Sequence, residues 1–144
     1  MATKESMPKV RWALEEAWCK GNVDALDQIS APDIVEHAYP FPDTKGLQAV
    51  KQSFLAFTAG FSDIHIDWEE MISEGDTIAG RYTARMKHTG ANPMFPVPPT
   101  GKEIVAKGCL FGHQKNGKDV EVFEYDDWLG FLQQLGIVPP MEQK

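Results

Sequence analysis

Val10, Ala13, Leu14, Ala17 and Trp18 fall three or four residues apart, which places them on one face of a helix. Gly21-Asn22 follows, and these residue types tolerate the left-handed conformation that ends helices. Val23, Leu26 and Ile29 mark a short second helix, broken at Ser30-Ala31-Pro32-Asp33. Ile34 to Ala38 reads as a short strand or extended segment ending near His37. Tyr39-Pro40-Phe41-Pro42-Asp43 must be a loop, because each proline lacks a donor and restricts its predecessor. Leu47, Val50, Phe54, Phe57 and Phe61 then repeat at alternating spacings of three and four, which predicts an amphipathic helix opened by Gly46 and carrying Phe61.

From Ser62 the hydrophobic period changes to two. Ile64, Ile66 and Trp68 alternate with polar neighbours, so a strand is predicted, closed by a turn at Glu74-Gly75-Asp76. The next strand puts Ile78, Gly80, Tyr82, Ala84, Met86 and His88 on one face and Ala79, Arg81, Thr83, Arg85 and Lys87 on the other. Residues 90–101 hold four prolines and read as a rigid loop anchored by Met94 and Phe95. A strand from about Glu103 to Gln114, a turn at Lys115-Asn116-Gly117-Lys118 and a strand from about Asp119 to Asp126 form a hairpin. Trp128 to Leu135 is a short helix, stopped by Gly136 and Pro139-Pro140. Helices, then a four-strand antiparallel meander, then a terminal helix imply an α+β fold with helices packed on one face of a curved sheet. The mouth between helices and sheet is a place where small-ligand pockets form.

Composition narrows the functional classes. The 144 residues fit a single domain, 1–144 with a core over about 8–139, and a chain of this length buries about 70% of its unfolded surface without a metal or disulfide. The net charge of −7, without a basic block, argues against nucleic acid and anionic membrane surfaces as partners. No secretory leader is expected at the N-terminus, and no apolar run nears the ~18 residues of a membrane span. Cys19 and Cys109 form no spaced framework and read as reduced, buried small hydrophobes of a cytoplasmic protein. There is no glycine-rich phosphate loop for a nucleotide cofactor and no nucleophile elbow.

Two readings stand for Glu124. On its strand it shares a face with Val120, Val122 and Asp126, where apolar surroundings favour the neutral acid and bring it towards acid/base strength. It can equally be a rim carboxylate paired with Arg81 or Arg85. His88 ends the buried face of its strand, as a proton-holding group in a cavity or as a core histidine bonded to the backbone. His37 points into the same mouth or into solvent. His37, His88 and Glu124 together are the one conceivable three-ligand metal set, but their spacing has no metal-binding signature, so no metal is expected. Trp18, Phe57, Tyr82 and Phe95 are among the aromatics able to line an apolar cavity, or simply to fill a core.

Short blocks in order along the chain resemble the SnoaL-like polyketide cyclases. They are Glu15-Glu16-Ala17-Trp18-Cys19-Lys20-Gly21-Asn22-Val23-Asp24-Ala25-Leu26, Ala31-Pro32-Asp33-Ile34-Val35-Glu36-His37, Lys45-Gly46-Leu47-Gln48-Ala49-Val50-Lys51, Glu74-Gly75-Asp76, His88-Thr89-Gly90, Pro98-Pro99-Thr100-Gly101-Lys102 and Leu132-Gln133-Gln134-Leu135-Gly136. The resemblance implies a cone of the nuclear-transport-factor-two-like type. It also implies ring closure of an aromatic polyketide by intramolecular aldol chemistry, with one carboxylic acid as general acid/base and neither metal nor cofactor. Counted back from Gln134-Leu135-Gly136, that acid falls on Glu124, where the characterised cyclases carry aspartate. His88 falls on a recurrent family histidine, and a polar pocket position falls on the apolar Leu110. That superfamily also holds isomerases, dehydratases, epoxide hydrolases and domains without chemistry, so fold alone does not decide.

The expected enzyme moves a proton at Glu124, with His88 and His37 orienting oxygen, on a small, flat, largely apolar carbonyl compound held by Trp18, Phe57, Tyr82, Phe95 and Leu110. A non-catalytic ligand-binding domain of the same fold is the alternative. Val105, Cys109 and Phe111 make the outer sheet face apolar as well, which implies a covered face and a homodimer.

Overall fold

A computed structural model of the protein describes residues 3–142. Met1 and Ala2, part of the stretch read as leader-free, lie outside the described residues. Helix α1 (Thr3–Lys20) buries Val10, Ala13, Leu14 and Ala17, the stripe its spacing predicts, and Gly21 ends it at φ +70°. A 3-10 turn (Val23–Gln28) follows. Strand β1 (Ser30–Tyr39), the two-residue β2 (Thr44–Lys45) and helix α2 (Leu47–Thr58) come next. The long strands β3 (Phe61–Glu74), β4 (Thr77–His88), β5 (Glu103–Lys115) and β6 (Lys118–Asp126) precede helix α3 (Trp128–Gln134). Among the described residues no helix is long and apolar enough to cross a membrane.

The six strands form one mixed sheet in the order β2-β1-β6-β5-β4-β3, with helices beside it, which is the α+β architecture expected. β3 to β6 are the antiparallel meander. β1 runs parallel to β6 and extends the sheet beyond that edge of the meander. Register shifts in β1, in β3 and at the end of β5 bend the sheet, since an unpaired residue in one strand kinks it. The bent sheet wraps α1 and α2. One apolar cluster sits under α1 and α2; a second, around Phe61, Phe95, Ile104 and Phe131, sits under α3.

Three expectations change. Phe61 is not on α2 but opens β3, although its spacing continues the helical stripe. The helix stops because Gly60 takes φ +83°, and a side chain there would meet the carbonyl oxygen of Gly90 at 2.5 Å. Residues 30–33 follow the end of the second helix, as expected, but the strand starts at Ser30 rather than at Ile34. They begin β1, and the register shift between Ser30 and Val35 absorbs Pro32. Finally, β2 pairs Val35 with Lys45, a contact with no hydrophobic pattern to announce it.

Candidate active site

The pleat decides what faces the interior. On β6, Val122, Glu124 and Asp126 share a face by strict alternation, and Glu124 and Asp126 line a cavity of about 420 Å³ between sheet and helices. On β1 the same alternation sends Ile34 into the core and Glu36 and Ala38 to the cavity wall. Glu36 lies opposite Val122, and Ala38 opposite Glu124, across the parallel pair. Three carboxylates therefore meet on one patch of an otherwise greasy wall that includes Trp18, Phe57, Trp68, Met86 and Trp128. Phe41, Pro42, Met94 and Lys107 are exposed members of the lining and mark the mouth.

Tyr82 reaches the same patch. Tyr82 lies opposite Gly108 and Gly108 opposite Asp126, so tyrosine and aspartate flank a residue without a side chain. Through that gap the Tyr82 hydroxyl donates to Asp126 Oδ1. A Cβ at Gly108 would collide with this carboxylate. Gly108→Ala is expected to part Tyr82 from Asp126 and to cost about 1–3 kcal/mol of overpacking. Thermal unfolding of the variant checks it; an unchanged melting temperature refutes it.

Burial and mutual repulsion separate the three acids. Glu124 is held well above the ordinary carboxylate range, first by burial and then by the charges of Asp126 and Glu36. Glu36 is pushed up to about 7 by burial and by Asp126. Asp126 rises only to about 6, because burial is offset by hydrogen bonds from Tyr82 and Glu124. Burial keeps the Tyr82 phenol protonated well beyond its usual range. Of the three, Glu124 is thus pushed most strongly towards its protonated form and Asp126 least. Pairs of acids pushed apart in this way are suited to divide donor and acceptor roles.

Of the residues singled out in the sequence, the structure brings Glu124, Trp18, Phe57, Tyr82 and Leu110 together around the cavity. Phe95 is not on its wall; it is buried behind Phe57 and Trp128 in the α3 cluster. His88 is fully buried away from the cavity, its Nδ1 between the Thr100 hydroxyl and the Thr100 backbone N–H, each 3.1 Å away, and its ring on Phe61. His37 is on the opposite sheet face. Its two ring nitrogens contact Asp43 and Glu121 at 2.8 Å each and the ring stacks on Phe123, so it orients nothing in the cavity. The conceivable metal set of His37, His88 and Glu124 is not assembled. Nor is Glu124 a rim partner of arginine, since Arg81 pairs with Glu70 and Arg85 with Glu103.

Glu36 and Asp126 are the residues that sequence reasoning missed as members of the site. Asp126 was legible as the next inward position after Glu124. Glu36 was legible from Ile34, Glu36 and Ala38, an alternation in which the acid takes the apolar side.

Solved structures share this fold. One from Jannaschia sp. CCS1, described as a candidate SnoaL-like polyketide cyclase, has a TM-score of 0.82 at 16% identity, covering 95% of this chain and 94% of its own. IdmH of Streptomyces antibioticus, described as a candidate polyketide cyclase, has a TM-score of 0.75 at 27% identity, covering 91% and 98%. An LEH-like epoxide hydrolase of M. tuberculosis has a TM-score of 0.67 at 14% identity, covering 92% and 93%. No curated protein matches the chain. The profile that does match runs over residues 9–135, nearly the whole sheet and its helices, and by it the chain belongs to the SnoaL-like polyketide cyclases.

Proposed function

We propose that the cavity binds a small, flat, largely apolar carbonyl compound and that Glu124 and Asp126 move a proton on it, as in an intramolecular aldol ring closure. The observation that carries this reading is the pair Glu124 and Asp126 on one face of β6, set with the Tyr82 hydroxyl into the wall of an aromatic cavity of about 420 Å³. That volume lies within the roughly 300–1,000 Å³ of small-molecule sites. Glu124 donates towards the carbonyl oxygen where charge develops. Asp126, held by the Tyr82 hydroxyl, accepts the proton from the adjacent carbon. Low local dielectric strengthens both interactions, and the chain's own side chains supply this acid–base step.

The test is proton exchange at carbon. Cyclic ketones and linear poly-β-carbonyl compounds are incubated with the protein in D₂O, and deuterium entering next to the carbonyl is followed by mass spectrometry. Exchange above the buffer rate that saturates with ligand is expected. Saturable binding with exchange at the buffer rate throughout the panel favours the alternative, a binding domain, for which the apolar Leu110 on the wall opposite Glu124 lends support.

The reading extends to assembly. Ile72, Ala79, Phe111, Phe123 and His37 lie opposite one another in register across five strands of the outer sheet face, and Tyr39 and Tyr125 lie beside that row. A second copy of the chain is the partner proposed for this stripe. Sedimentation at micromolar concentration is expected to give twice the mass of 16.1 kDa; the mass of one chain ends the idea.

A further inference from the structure

The three acids of the cavity wall act on one another, and no positive charge acts on any of them. Glu124 feels Asp126 and Glu36, and Glu36 feels Asp126; no lysine, arginine or histidine contributes. One basic residue, Lys107, belongs to the described lining, and the alternation of β5 turns its side chain outward, away from Ala106 and Leu110. Helices α1 and α2 and strand β3 add no titratable residue to the wall, and the small space behind Glu36 adds only another acid, Asp119. At the mouth, Asp43 and Asp127 have partners of their own in His37 and the Gly130 backbone N–H. The one O–H of Tyr82 is taken by Asp126 and Glu124. Glu36 has no such partner. It is deeply enclosed, the surface it keeps lies on the cavity wall, and among the described residues no hydrogen bond reaches its carboxyl. A group so placed is costly unless something in the cavity satisfies it.

We infer that the ligand of this cavity carries an organic cation, a protonated amine, seated against Glu36. A neutral donor would satisfy one carboxyl; a positive charge there relieves the repulsion among all three. The walls suit it as well. Trp18, Trp68 and Trp128 line the same space, and indole is the best of the aromatic rings for holding a cation. A metal ion is the poorer occupant, since among the described residues no three ligating side chains come together to hold one. The inference rests on the reading of the cavity as a small-molecule site and adds the ligand's class: an amino-carbonyl compound sets its charge on Glu36 and its reacting carbon towards Glu124 and Asp126. It does not require that a proton be moved.

The test compares naphthylethylamine, charged at neutral pH, with the isosteric naphthylethanol, each titrated into the intact protein by calorimetry. The amine is expected to bind about tenfold or more tightly than the alcohol at pH 8. Its advantage should shrink towards pH 5.5, because Glu36 at about 7 and Asp126 at about 6 lose their charge on the way. Between those limits amine binding should release protons, seen as heats that change with the buffer. Glu36→Gln should remove about tenfold of the amine's affinity and leave the alcohol within a few-fold. The alcohol binding as tightly as the amine at pH 8, or neither binding, overturns the cation. Equal loss of both ligands in Glu36→Gln, or loss of neither, overturns Glu36 as its seat. Neutral ketones that exchange deuterium while the amine gains nothing over the alcohol leave the acid–base reading standing and end this one; a preference for the amine without exchange does the reverse.

Discussion

Replacing Glu124 by glutamine is expected to lower proton exchange at carbon by about 10²–10⁴-fold, the usual contribution of a positioned acid or base. Glutamine keeps the shape and the hydrogen-bonding reach of the acid but cannot give up or take a proton at neutral pH. The cavity walls are untouched, so ligand affinity should stay within a few-fold of the wild type. That split between rate and binding is what a proton-transfer role requires and what a packing role does not produce. Tyr82→Phe should act more mildly, because it removes the donor that holds Asp126 but leaves both acids. A Glu124→Gln variant exchanging at the wild-type rate would falsify the assignment of this residue as the acid.

Stability should fall as pH rises from about 5 to 8. Glu36, Asp126 and Asp119 titrate in the folded protein at about 7, 6 and 7, against ordinary values of 4.5, 3.8 and 3.8, and Glu124 is raised further. The folded state therefore binds more protons than the unfolded chain throughout that window. The slope of unfolding free energy with pH is then negative. Stability that is fully present below the unfolded values is lost as pH passes the folded ones. At about 1.4 kcal/mol per pH unit, Glu36 alone accounts for roughly 3 kcal/mol, a large share of a domain stability of about 5–15 kcal/mol. The acids held low on the surface, Glu16 beside Lys20 and Asp63 beside Lys87, act only below their ordinary values and leave this window alone. Urea unfolding at pH 5, 6, 7 and 8 measures the curve. A flat or rising profile would show that the acid patch is solvated. Glu124→Gln should flatten the profile and raise the melting temperature at pH 8, because the neutral amide needs no proton to be buried.

Much of this was readable before any coordinates. The period of two in β4 named its inward face residue by residue, and Tyr82 is found on the cavity wall. The same rule applied to β6 left Glu124 between inward and outward, because Phe123 and Tyr125 make the other face aromatic too. The outer face stays apolar because His37 and His113 pack on Phe123 there. His37 and His88 show the opposite failure. Each sits where a sequence reader seeks an acid or base, and each is held by local partners, Asp43 and Glu121 for one and Thr100 for the other. Those partners lie 6 to 84 residues away, and no spacing rule connects them.

The sequence by itself determined the three α-helices and the four strands of the meander to within a few residues, and the inward face of β4, because these follow from local periodicity and from the glycines and prolines that interrupt it. The tertiary structure alone decided that β1 lies parallel to β6. That pairing joins residues more than eighty positions apart, and it carries Glu36 to Glu124 and Asp126. Without it Glu124 and Asp126 are two acids on one strand; with it a third carboxylate joins them on the cavity wall, and burial, with the charges of its neighbours, pushes Glu124 furthest towards its neutral form.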